Sequence, residues 1–329
     1  MTEGTSSALR DEMADADNRL SYGCDRLGRL TDALVHTPGR ELELITEDNY
    51  EEWLFDSVPD IGGFIEEHEQ YCDLLRLLGV SVHQVRDFTS DRLMEKLPNL
   101  TYLHDVAVIS GRGAILSKMT FPSRQREEVV VRKALDALGI PIWIDFDDPG
   151  DGFEGCLLLG ESSMLVAETE RHRNGSVMRF IELALEGVDE VLYVDVPDAR
   201  RFMHPDTVFN RVSSDLALVY PPAFEKVYLF TRGCVTETTI EEFTGGKGVE
   251  LLPVSDAEQA RLACSFVPID DGAIVHYDTA LAPATVKKLE RRGVDIYTFH
   301  PEALVAGGGS LRCITLRLHR EGNEPALST

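Results

Sequence analysis

The chain has 329 residues, 43% of them hydrophobic, and a formal net charge of −25 from 57 acidic and 32 basic side chains. The apolar content supports a large core, while the acidic excess argues against a surface that grips the phosphates of DNA or RNA. There is no apolar run long enough to span a bilayer, no basic flank leading into an apolar N-terminal stretch, and no close pair among the six cysteines (24, 72, 156, 234, 264 and 313); a reducing, cytoplasmic setting without metal or cofactor is therefore expected.

Taken in order, residues 1–22 are polar and read as a mobile or peripheral arm, and 323–329 as a tail, with one catalytic domain over 23–322 between them. Ala33 to Val35 reads as a strand, closed by the Pro38-Gly39 turn, with His36 at its end as a structural histidine. Phe64, Ile65, His68, Tyr71, Leu74, Leu75 and Leu78 recur at helical spacing, Gly79 ends that helix, and Val80 to Val85 alternates as a strand. The same unit returns at Arg124 to Leu138, Gly139 and Ile140 to Asp145. It returns again at Val177 to Leu185, Gly187 and Val191 to Val196. A fourth helix is predicted at Asp256 to Ala263, before strands at Phe266 to Asp270 and Ala273 to Tyr277. The fifth unit is Pro283 to Arg292, Gly293 and Val294 to Phe299. Further strands fit at 106–109, 114–118, 157–159, 164–167, 216–220 and 227–229. The count suits roughly five α/β modules around a pseudo-axis. A dinucleotide-binding fold fits less well, because no GxGxxG follows the first strand.

Five side chains sit at edges between a turn and an apolar strand: Asp105, Glu154, His204, Asp206 and Cys313. Such edges hold polar groups at the rim of a core, where burial and neighbours tune them. If 204–209 is extended, His204 and Asp206 face one way. Each position also has a plain reading: a solvated loop acid, a packed histidine, a buried structural thiol. Jointly, a cysteine, a histidine and several acids without metal-ligand spacing suit a thiol nucleophile acting on a cationic carbon, as in a guanidinium.

These stretches resemble the arginine deiminase and amidinotransferase superfamily, the penteins. The resemblance spans about residues 24–320 and begins with Gly28 to Leu42 as the opening strand and turn. Leu97-Pro-Asn-Leu-Thr-Tyr-Leu-His-Asp105 is similar to "PN…TRD", Glu154-Gly155 to the start of "EGGD", and Phe202-Met-His-Pro-Asp-Thr-Val-Phe209 to "FMHLDTVF". Gly307-Gly-Gly-Ser-Leu-Arg-Cys313 resembles the C-terminal nucleophile motif. The resemblance implies a five-module α/β propeller. It also implies Cys313 as nucleophile, His204 as catalytic acid and base, Glu154 as catalytic or positioning acid, and Asp105 and Asp206 as guanidinium clamps. Arg171 matches an arginine that contacts the substrate carboxylate. The helical insertion of arginine deiminases looks absent, since Asp87 to Leu97 leads directly to the Asp105 segment.

Three departures stand out. Leu157 replaces the aspartate of "EGGD", His104 replaces the arginine of "TRD", and Ala306 and Gly308 stand where deiminases carry arginines. The carboxylate grip is therefore altered, and arginine, a modified arginine or another guanidino compound are all retained as substrates. Hydrolytic deimination through an S-amidino-type intermediate is the expected activity. Transfer to an amine acceptor and non-catalytic binding of a guanidino ligand are the alternatives, and a homo-oligomer is left open.

Overall fold

The computed structural model describes residues 20–322. Within them, five mixed sheets are each built on one plan. A first strand runs antiparallel to a second; a helix follows; a third strand then returns parallel to the second. Module one takes its second strand β1 (Leu30–Val35), helix α1 (Ile61–Leu77) and third strand β2 (Ser81–Gln84) from the N-terminal end, and its first strand β17 (Leu316–Arg320) from the C-terminal end. That pairing closes the ring. Module two is β3 (Ala107–Ser110), β4 (Gly113–Leu116), α2 (Glu127–Leu138) and β5 (Ile142–Ile144). Module three is β6 (Leu157–Gly160), β7 (Ser163–Glu168), α3 (Ser176–Ala184) and β8 (Glu190–Asp195). Module four is β9 (Phe209–Arg211), β10 (Leu216–Val219), α4 (Ile240–Gly246) and β13 (Glu250–Pro253). Module five is β14 (Val267–Asp270), β15 (Ala273–Tyr277), α5 (Pro283–Glu290) and β16 (Asp295–Phe299).

The plan follows from local chemistry. In α2, Val130, Val131, Ala134, Leu135 and Leu138 are buried on one face, the stripe a helix needs to cover a sheet. Gly139 ends it at φ 76°, a conformation that costs glycine little, and its N–H caps Asp136 O. The apolar sides of sheets and helices form the core, and Leu316, Ile109, Leu158, Phe209 and Pro268, one from each first strand, line a cavity at its centre. The first strands thus ring the pseudo-five-fold axis.

Three expectations need correction. The fourth module's helix is α4, not 256–263; residues 256–259 form one capped turn linking modules four and five. Residues 204–209 are not extended, because Pro205–Thr207 is a 3-10 turn with proline at its start. The last strand begins at Leu316, which leaves Cys313 in the turn before it. One feature lay outside the five-unit reading. The hairpin β11 (Lys226–Thr231) and β12 (Cys234–Thr238) leaves module four and extends the sheet of module three through β8. Of the predicted arm, residues 1–19 lie outside the described residues, as does the whole predicted tail; Leu20 and Tyr22 pack against the core of module two. Among the described residues, no helix is long and apolar enough to cross a membrane.

Candidate active site

Glu154 lies in the segment entering β6 and is fully buried. Its Oε1 accepts from Thr120 N at 3.0 Å, and its Oε2 stands 3.1 Å from His204 Nε2. Arg171 Nη1 is 3.7 Å away. Burial alone would raise this carboxyl; the His204 hydrogen bond and the Arg171 and Arg124 guanidiniums outweigh it and hold the pKa at about 2.

His204 follows the turn Arg200–Phe202, and its other ring nitrogen, Nδ1, is 3.6 Å from Asp105 Oδ1. Burial opposes its charge, but Asp105 and Glu154 prevail and raise its pKa. An imidazolium donating towards one carboxylate and held by the other is the form this geometry favours.

Asp105 sits in the short helical turn Leu103–Val106, and its Oδ2 accepts from Arg124 Nη1 at 2.7 Å. Arg124 was not anticipated as a site residue. It is 3% exposed, donates from Nε and Nη2 to Glu127, and anchors Asp105 from behind. The sequence signal was an arginine three residues before a glutamate at the start of an apolar helix, which an i,i+3 reading would have found. Asp206, in the turn Pro205–Thr207, accepts from Ser265 Oγ at 2.9 Å and lies 3.3 Å from Arg312 Nε.

Cys313 is buried, with Ser310 N 3.5 Å and Ser310 Oγ 3.3 Å from its sulfur. Burial pushes the thiol up, Asp105 and Asp206 push it further, and the Ser310 contacts pull it part of the way back. The thiol is therefore protonated in the ligand-free protein. It lines a narrow cleft with Asp105, Tyr102, Arg124, Arg171 and Arg200. This cleft shares Arg200, Met203, Gly308 and Gly309 with an outer depression of about 460 Å³. His204 and Asp206 line a smaller hollow that also includes Asp105. Asp105 thus borders both spaces. Two of the three glycines before Cys313 are demanded by packing: a Cβ at Gly307 would fall 1.6 Å from Tyr102 Oη, and one at Gly309 2.3 Å from Tyr102 Cε1. By contrast, Cys264 lies in the apolar core with Phe266.

Arg171 is buried against the Phe121 ring at 4.5 Å, and its Nε and Nη1 have no hydrogen-bond partner among the described residues. Arg200, half-exposed at the mouth, pairs with Asp56 at 2.9 Å and donates to Leu54 O at 2.7 Å. The six predicted residues therefore fall into a contiguous set, Glu154, His204, Asp105 and Arg171, flanked by Cys313 and by Asp206. No three His, Cys, Asp or Glu side chains among the described residues are grouped as a metal site requires.

The arginine deiminase family model matches residues 87–320. The chain belongs to the arginine deiminase family. Within that family, the chain is 25% identical to the arginine deiminase of Listeria welshimeri over 90% of this chain and 97% of the relative. It is 24% identical to that of Mycoplasma capricolum, over 90% and 96%. The first of these alignments runs to 399 positions, longer than this 329-residue chain, so the relative carries segments this family member lacks. Among solved structures, AgrE with L-arginine gives a TM-score of 0.68 at 16% identity, covering 90% of this chain and 42% of AgrE. The N-terminal domain of ArgZ, a cyanobacterial arginine dihydrolase, gives 0.66 at 18%, covering 87% and 96%. DDAH from Pseudomonas aeruginosa with citrulline gives 0.65 at 15%, covering 88% and 99%. These three likenesses establish the fold this family member shares with them.

The Glu154–His204 pair has a definite pH signature. Glu154, lowered from 4.5 to about 2, contributes stability that is present above pH 4.5 and lost as pH falls towards 2. His204, raised above 6.5, contributes below 6.5 and loses its contribution as pH rises through its higher folded value. Together they stabilise most between pH 4.5 and 6.5. Urea unfolding of the wild type and Glu154→Gln should show a stability gap that is widest there and narrows by about 3 kcal/mol towards pH 2. A gap independent of pH would mean that Glu154 is not ionised in the folded protein.

Proposed function

We propose that the protein is a cysteine-dependent guanidine hydrolase that deiminates arginine or a close derivative. The observation that carries this reading is one connected set of buried groups, with two carboxylates, Asp105 and Asp206, acting electrostatically on the Cys313 thiol beside a narrow cleft. A planar guanidinium held by these carboxylates reverses the local electrostatics. It neutralises the charges that hold the thiol up and adds positive charge next to the sulfur.

Cys313 then releases its proton to solvent water, and its thiolate attacks the guanidinium carbon. The tetrahedral adduct expels a terminal nitrogen, which takes a proton from His204 and leaves as ammonia. Neutral His204 next removes a proton from water, whose oxygen attacks the S-amidino carbon. Collapse breaks the C–S bond as the adduct's hydroxyl proton passes to the departing sulfur, so arginine plus water becomes citrulline plus ammonia and the Cys313 thiol is restored. Glu154 holds His204 in place and favours its charged form. Thr120 orients Glu154, and Arg124 orients Asp105. Arg171 lines the cleft, with Nη1 3.7 Å from Glu154 and Nε 3.4 Å from Glu170 but neither in hydrogen-bond geometry, and is the candidate contact for the substrate carboxylate. Arg200 at the mouth is a second cation in reach of that end. Neither Ala306 nor Gly308 offers a donor side chain there.

The test is product analysis by mass spectrometry with L-arginine, with N-methylated arginines, and with arginine plus glycine as amine acceptor. Citrulline and ammonia in equal amounts, unaffected by glycine, are the expected result. Ornithine formed only with glycine would replace hydrolysis by amidino transfer. No turnover and no modification of Cys313 by any of these compounds would remove the catalytic reading.

A further inference from the structure

The central cavity ringed by the five first strands lies outside the catalytic cleft and has a different chemistry. Its free volume is about 40 Å³, enough for a few water-sized bodies. It is lined by Arg211, Arg312, Arg317 and Arg320, and the segment Cys24–Leu27 closes one side. Arg320 spends its donors on carbonyls, Gly28 O at 2.7 Å and Pro268 O at 2.5 Å. Arg211 does the same with Leu159 O and Ser214 O.

Among the described residues, three of these guanidiniums keep buried N–H groups without a hydrogen-bond partner: Nε and Nη1 of Arg312, Nε of Arg317 and Nε of Arg211. Arg312 is 3% exposed. Its Nε is at ion-pair distance from Asp206 without hydrogen-bond geometry, and Asp206 is already engaged by Ser265. The carboxylate on the cavity wall is Asp25, which is taken up by Gly111 N. Among the described residues, the hydrogen-bond contacts of Arg317 are long ones of 3.5 Å to the His104 ring. Burial and mutual repulsion lower the Arg312 pKa to about 9 and the Arg320 pKa to about 10. In a chain of net charge −25, such a buried cluster of cations is not a consequence of composition. Buried cations with unpaired N–H groups are costly unless an opposite charge joins them.

We propose that this axial cavity is a binding site for a small inorganic monoanion of chloride size, held by Arg312 and Arg317 with Arg211 and Arg320 completing its positive surround. The anion acts as a structural counter-ion that ties β17 to β9 across the axis.

The experiment measures thermal unfolding of the full chain in sodium chloride, bromide and gluconate at one constant ionic strength, for wild type and Arg317→Met. It is joined by a crystal of the wild type grown with bromide and measured at the bromine absorption edge. The expected results are a saturable Tm rise of about 2–5 °C with chloride and bromide over gluconate, a smaller rise in Arg317→Met, and an anomalous peak among Arg312, Arg317 and Arg211. Equal Tm in all three salts overturns the proposal even if a peak is seen, since that is an adventitious ion only. A halide-specific shift with water alone in the cavity also overturns it. Should Arg317→Met fail to fold, the wild-type salt series and the bromide peak decide.

Discussion

Cys313→Ala is expected to lower kcat for arginine by at least about 10⁴-fold while leaving the Kd for arginine within about threefold. The reason is a separation of roles around the cleft. In the proposed mechanism Asp105 and Asp206 carry the attraction for the guanidinium, and both are held by partners other than the thiol: Arg124 and Ser265. Removing the sulfur takes away the only group there able to form the covalent intermediate, without disturbing those anchors. Cys313 lies in an apolar cluster with Tyr102, Leu311 and Ile314, so the fold should lose only about 1 kcal/mol. Single-turnover kinetics and calorimetric binding check the two halves independently. Activity above about one per cent of wild type would assign the nucleophile elsewhere. In the wild type, rapid acid quenching during turnover should trap a mass increase on the peptide containing Cys313, and the variant should show none.

Arg124→Met is expected to produce the largest stability loss in the site, about 3–5 kcal/mol by urea unfolding near pH 7. Arg124 is buried between two carboxylates. One, Asp105, receives Nη1, and the other, Glu127, receives Nε and Nη2. Methionine fills much of the same volume, so the loss isolates the charge. Glu127, already pushed up to about 7 by burial against the pull of Arg124, would take a proton and limit the penalty. A raised carboxyl favours the folded state below its unfolded value of 4.5 and loses that advantage as pH rises towards 7, so the deficit should shrink in mild acid. Adding Glu127→Leu to the variant should recover part of the loss at pH 7. A deficit under about 1 kcal/mol would mean that Arg124 is no more than a surface-grade pair. Activity should fall too, because Asp105 loses the bond that aims it at the cleft and at His204.

The elements were legible to different degrees, for reasons visible in particular residues. Helix α2 and its Gly139 cap were plain because five buried residues recur on one face. Helix α4 was missed because it is seven residues long, with buried side chains only at Ile240, Phe243 and Thr244, too short to establish a period. At 256–259 Ser255 and Glu258 form a complete capping box, a strong helix start signal, yet the helix stops after one turn. An extended 204–209 segment would have turned His204 and Asp206 the same way, but Pro205 starts a tight turn there. His204 and Asp206 are both buried there without strand geometry.

Much of the local character of the chain was determined by sequence alone: most of the strands and the longer helices, the strand–strand–helix–glycine–strand order, and the chemical types at Asp105, Glu154, His204, Asp206 and Cys313. These depend on neighbours a few residues away, where propensity and spacing act. Only the tertiary structure decided which of them meet. His204 touches Glu154 across fifty residues, and β17 closes on β1 across nearly the whole chain. Such contacts arise from the closing of five modules around one axis. The same closure gathers arginines from β9, β17 and the turn before β17 into the central cavity and places Arg124 behind Asp105. No local pattern encodes these meetings, because the free energy that creates them is shared by the whole packed ring.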